Sequence, residues 1–106
     1  MTNYENIGIM YFTTPAMENE PIGKTVEGVM IQVGKQIPVR KVNSEYEPSL
    51  VEKMKPTSVP SIIFTDNSGK VEHLRVEGNV LSTISLDGVM GIVKDIAHYN
   101  ANNSNG

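Results

Sequence analysis

The stretch that most constrains the fold is Ser58-Val59-Pro60-Ser61-Ile62-Ile63-Phe64-Thr65-Asp66, closed by Asn67-Ser68-Gly69-Lys70. Ile62-Ile63-Phe64 offers no polar face, so it predicts a strand covered on both sides. Pro60 has no N–H to give a sheet and belongs at the strand's first position, where X-Pro is also the peptide in which cis is accessible. Asp66-Asn67-Ser68-Gly69 is turn chemistry with a glycine where positive φ is expected. A second strand, Lys70–Glu77, should therefore return as a hairpin, with Gly78 ending it.

The rest of the chain supplies strands and helices to cover that hairpin. Ile7-Gly8-Ile9-Met10-Tyr11-Phe12 is an apolar run of strand length and predicts a central strand. Thr13-Thr14-Pro15 ends it, and the loop Ala16-Met17-Glu18-Asn19-Glu20 follows. Asn19 is a candidate helix cap, with Glu20 and Pro21 suited to the first turn. Ile22, Val26, Val29, Met30 and Val33 then form one stripe of an amphipathic helix ending near Gly34. Gly23 and Gly28 weaken that helix by about 1 kcal/mol each relative to alanine, so packing must hold it.

Ile37–Asn43 predicts a second strand with Pro38 at its start. Pro48 opens a short helix with Leu50, Val51 and Met54 inward, and Pro56 stops it. Ser85 can cap a last helix, with Ile84 and Val89 as its staple and Val89, Ile92, Val93 and Ile96 as its stripe. Residues 1–6 read as a polar lead-in and 100–106, Asn-Ala-Asn-Asn-Ser-Asn-Gly, as a disordered Asn-rich tail. One domain over 1–99 results. Its order is β-α-β-α-β-β-α, a three-layer α/β/α fold with a four-stranded mixed sheet. Both strand–helix–strand connections are expected to join parallel neighbours.

Composition narrows function by exclusion. The chain has 106 residues, a net charge of −3 and no cysteine. An acidic chain is a poor phosphate-backbone binder, so no nucleic-acid partner is expected. No apolar run reaches membrane-span length and no basic-then-apolar leader opens the chain, so a cytoplasmic protein without membrane contact is expected. Without cysteine there is no disulfide, no thiol nucleophile and no cysteine-bound metal.

The ordered set Ile9-Met10-Tyr11-Phe12, Lys41-Val42-Asn43, Pro48, Val59-Pro60 and Asn67-Ser68-Gly69 resembles the thioredoxin family over about residues 7–98. The likeness is to the family's core without its first strand and helix. It implies a thioredoxin-like fold in which Ala16-Met17-Glu18-Asn19 occupies the place of the redox Cys-x-x-Cys and Pro60 that of the cis proline. Pro15 stands at the preceding tryptophan position and Met10 at the buried acid. With no thiol to deprotonate, Met10 is expected simply to pack. Lys41, which pairs near that acid in the family, is expected to turn to water, Glu18 or Glu45.

The resemblance implies a redox-inactive domain that binds a protein partner through Ala16, Met17, Glu18, Asn19, Val59 and Pro60. In the family, the residue before the cis proline pairs through its backbone with an extended peptide, which needs no thiol. The competing accounts are a vestigial groove, a thiol-independent small-ligand protein or enzyme using the same loop, and a structural subunit of a larger complex. No catalytic residue, metal ligand or cofactor is assigned. Gly23-Lys24-Thr25 lacks the upstream glycine of a phosphate loop, because that position is Glu18. His73 and His98 have no ligand spacing and read as surface residues. Thr13 and Thr14 have no adjacent base and read as loop caps. Glu45, Glu47, Glu52 and Lys53 read as a solvated face.

Overall fold

The central strand forms as its apolar run requires. In a computed structural model describing residues 6–103, with side chains described over 6–99, β1 (Ile7–Thr13) is buried at every position but Gly8. It is followed by a single turn, α1 (Pro15–Glu18), and then α2 (Pro21–Val33). β2 (Val39–Asn43), α3 (Pro48–Met54), β3 (Ser61–Asp66), β4 (Glu72–Glu77), a 3-10 helix (Gly78–Thr83) and α4 (Leu86–Asn103) complete the chain. The sheet order is β2-β1-β3-β4.

Alternation along β1 divides the core in two. Ile7, Ile9 and Tyr11 face α2 and α4, where Val26, Met30, Val33, Val89, Val93 and Ile96 meet Ile62 and Phe64 of β3. Met10 and Phe12 face the other way and join Val42, Met54 and Ile63, with Leu50, Val51 and Val59 packed around them. The three layers follow from this two-sided burial. Met10 packs within the second cluster, as its apolar side chain dictates.

Strand direction departs from the expectation of two parallel connections. β1 and β2 are parallel, but β3 runs antiparallel to β1. The cause is length. α2, with 13 residues, returns the chain to the start of the sheet. α3 has 7 residues, about 10 Å of helix, against about 23 Å for the 7 residues of β1. The chain therefore re-enters the sheet at the end it left, and Ser61 lies across from Phe12.

Local boundaries shift for similar reasons. The helix cap expected at Asn19 is absent: Asn19 closes α1, and Glu20, extended and without a side-chain cap bond, precedes α2. Pro21 at the first helical position needs no N–H partner, which lessens the need for that cap. Ser85 does cap α4, accepting from Gly88 N at 3.0 Å. β2 begins at Val39, while Ile37 is buried and Pro38 O accepts from Ile9 N at 3.2 Å. β4 begins at Glu72, because Asp66 Oδ1 gathers Ser68 N, Ser68 Oγ and Lys70 N and widens the turn. Gly69 there has φ 76°.

α4 runs to Asn103, past the boundary drawn at Asn100 from composition. Adding a residue to an existing helix is far cheaper than starting one, so weak helix formers can extend it. His98 consequently lies a full turn inside the helix. The lead-in over residues 1–5 and the end of the tail at 104–106 lie outside the described residues.

Candidate functional site

Both segments of the candidate site leave the sheet at one end. β1 ends at Thr13, across from Asn43, and β3 begins at Ser61, across from Phe12. The register thus sets Thr14–Asn19 beside Thr57–Pro60. Thr14 is extended and accepts from Met17 N at 3.1 Å through Oγ1. Glu18 N reaches Thr14 O at 3.0 Å, and Asn19 N reaches Ala16 O at 3.2 Å. The loop is thereby a closed single turn that presents Ala16 and Asn19 to solvent, with Met17 and Glu18 half-buried.

Gly23 fixes how α2 carries this turn. A Cβ at position 23 would run into the Met17 carbonyl. The glycine-lysine-threonine run is thus a packing device, with Thr25 Oγ1 donating back to Pro21 O at 3.1 Å. Gly28, by contrast, faces open space. It brings no surfaces together.

The opposite segment is equally anchored. Pro60 is buried, the Val59–Pro60 peptide is cis, and half-buried Val59 packs on the second core cluster. Glu77 Oε2 accepts from Thr57 N and from Ser61 Oγ, each at 2.8 Å, so β4 grips the loop on both sides of Pro60. Burial pulls the Glu77 carboxyl upward, but the Ser61 hydroxyl and Thr57 N–H outweigh it and hold the group below its ordinary value. Among the described residues, no hydrogen bond engages the backbone of Val59.

A charged cluster braces the first loop. Lys41 Nζ lies 2.6 Å from Glu18 and 3.2 Å from Glu27. Of the directions open to Lys41, Glu18 is taken and Glu45 is not; Glu27, from the next turn of α2, is the partner that sequence spacing does not reveal. Tyr11 Oη donates to Glu27 at 2.9 Å. Burial raises the Tyr11 phenol well above its usual value; the Thr13 contact opposes this and the Glu27 carboxylate reinforces it. The hydrogen bond that Lys41 donates to Glu18 raises the lysine as well, against partial burial.

The chemistry available at this end is limited. Thr14 Oγ1 is occupied as a cap, Thr13 is buried, and Tyr11 stays a neutral donor. His73 sits on β4 and His98 is exposed on α4, both on other elements. Among the described residues, no group of three His, Cys, Asp or Glu is placed to hold a metal, and no helix is long and apolar enough to cross a membrane. Glu47 is less solvated than its sequence context implies: it accepts from Asn43 N at 3.2 Å and pairs with Arg40 at 3.2 Å.

Solved structures share this fold. A mutant thioredoxin from Halobacterium salinarum NRC-1 superposes with a TM-score of 0.68 at 14% identity, over 86% of this chain and 74% of that one. Thioredoxin 1 from Thermosipho africanus gives 0.62 at 20% identity, over 93% and 99%. Trxlp from Edwardsiella tarda gives 0.65 at 13%, over 85% and 84%. At such identities the likeness is one of fold. No protein-family profile matches the sequence, and no curated protein matches it.

Proposed function

We propose that this thioredoxin-like domain, which carries no thiol, works by binding a protein partner at the sheet end formed by Ala16, Met17, Glu18, Asn19, Val59 and Pro60. Dithiol exchange requires a thiolate on the protein, and this chain has none. What remains is the peptide-binding half of the fold's behaviour.

The observation that carries the reading is the free backbone of Val59, held rigid beside an exposed helical turn. Such a segment can accept an extended peptide by main-chain pairing. Met17 and Val59 supply adaptable apolar surface, while Ala16 and Asn19 form the rim. Pro60 is buried, so its part is to set the path of the loop. Glu77 and Lys41 hold the two segments in place from beneath.

Affinity capture with wild type and Val59→Glu tests this. A partner retained by wild type and lost by the variant is the expected result. Equal capture by both would move the binding surface elsewhere. A standard disulfide-reduction assay is expected to stay at background.

A further inference from the structure

Lys53, Lys55, Lys70 and Arg75 line one open concavity of about 470 Å³ beside the C-terminal end of α3, completed by Met54 and Glu72. The chain has nine lysines and arginines against twelve acids. Four of those cations and only one of those acids line this hollow, leaving five cations against eleven acids elsewhere. A net-acidic chain thus has a local cationic surface, to which no residue of Thr14–Asn19 contributes.

The four cations are not equivalent. Arg75 is committed to the fold, donating to Met54 O at 2.7 Å and Lys55 O at 3.0 Å and pairing with Glu72. Among the described residues, no ion pair engages Lys53, Lys55 or Lys70. Lys55 also stands at φ 51°, in a helix-ending conformation that glycine would adopt without strain. Three like charges around one hollow repel one another, and an anion placed among them removes that repulsion.

We propose that this concavity docks a short acidic segment of a protein partner, its carboxylates facing Lys53, Lys55 and Lys70. The acidic excess over the rest of the surface disfavours a long polyanion. No aromatic side chain lines the hollow to stack a base, which also favours peptide over nucleic acid. The proposal is independent of the Val59 site.

The test is fluorescence anisotropy with a labelled synthetic hexapeptide alternating glutamate and valine. Replacing Lys53, Lys55 and Lys70 together by glutamine is expected to weaken binding about tenfold. Replacing Lys24, Lys35 and Lys94 instead, with the same change in net charge, is expected to leave it unchanged. Raising the salt concentration should weaken wild-type binding, because the contacts are exposed. Lys55→Gly separates binding from folding: it should melt no lower than wild type yet bind the peptide more weakly. Absence of peptide binding, equal weakening by both triple variants, unchanged affinity in Lys55→Gly, or tighter binding of an oligonucleotide of equal charge would each overturn the assignment.

Discussion

Arg75 Nε lies 2.7 Å from Glu72 Oε2, although the two residues are three apart on one strand. In a regular strand that spacing would send their side chains to opposite faces. The β3–β4 register explains the meeting. Phe64 pairs with Leu74 and Thr65 with Glu72, so His73 is an extra, bulged residue. Ile63 pairs with Arg75, which returns Glu72 and Arg75 to the face that carries α3. There Arg75 also closes the end of α3 through Met54 O and Lys55 O.

Arg75→Ala should therefore destabilise the protein by about 2 kcal/mol, since it removes charged hydrogen bonds to two helix-end carbonyls and to a carboxylate. Arg75→Lys should recover only part of this, because an ammonium cannot reproduce the planar fork. Urea unfolding of the three proteins measures the difference. Equal midpoints for wild type and Arg75→Lys would remove the fork geometry from the account.

Acid should weaken the fold through specific carboxylates. The Arg75 hydrogen bond holds Glu72 below its usual value, and the Ser61 hydroxyl and Thr57 N–H, outweighing burial, do the same for Glu77. A carboxyl depressed in the folded state binds protons more readily when unfolded. Its contribution is thus complete above the ordinary carboxylate range, about pH 4.5, and is lost as pH falls toward the folded value. Glu77→Gln should be less stable at neutral pH and show a shallower loss between about pH 5 and pH 3. Melting temperatures across that range read the slope; parallel curves would refute the assignment.

Two glycines of α2 should respond in opposite directions. Gly28→Ala meets nothing and should stabilise by about 0.5–1 kcal/mol. Gly23→Ala drives a methyl into the Met17 carbonyl and should cost about 2 kcal/mol or more while displacing α1. Thermal unfolding gives both values, and amide chemical shifts of residues 15–19 report the displacement. A neutral Gly23→Ala would mean that α1 and α2 do not meet as described.

Glu27 joins Tyr11 and Lys41, so those two residues should be energetically coupled. Tyr11→Phe should cost about 1 kcal/mol, the net worth of a partly buried hydrogen bond. Combined with Lys41→Met, the loss should depart from additivity by about 0.5 kcal/mol or more. A double-mutant cycle by chemical denaturation checks this. Strict additivity would indicate that the two contacts to Glu27 are independent.

Much of the candidate site was legible because it depends on local chemistry. Thr14 as a loop cap, Pro21 in the first turn of a helix and Pro60 at a strand entrance each follow from one residue's backbone preference, whereas Pro15, read as the end of a strand, opens the single turn α1. The supporting residues were not legible. Glu77 reaches Thr57 and Ser61 across the β3–β4 ladder, and Glu27 reaches Tyr11 and Lys41 from another layer. Neither has a periodic signature, since the partners come together only after the sheet forms. The Lys53, Lys55 and Lys70 cluster was hidden for the same reason: two segments of ordinary charge pattern converge at one hollow.

The sequence by itself determined the strand cores, the helix stripes and the absence of thiol chemistry. Those depend on apolar periodicity and side-chain identity, which travel with the chain. Only the tertiary structure decided that β3 runs against β1, because the reach of a seven-residue α3 has to be compared with the length of the sheet. It also decided the bulge at His73, since register is settled between strands and cannot be read from either one. From that bulge follow the Glu72–Arg75 pair, the closed end of α3 and the hollow beside it.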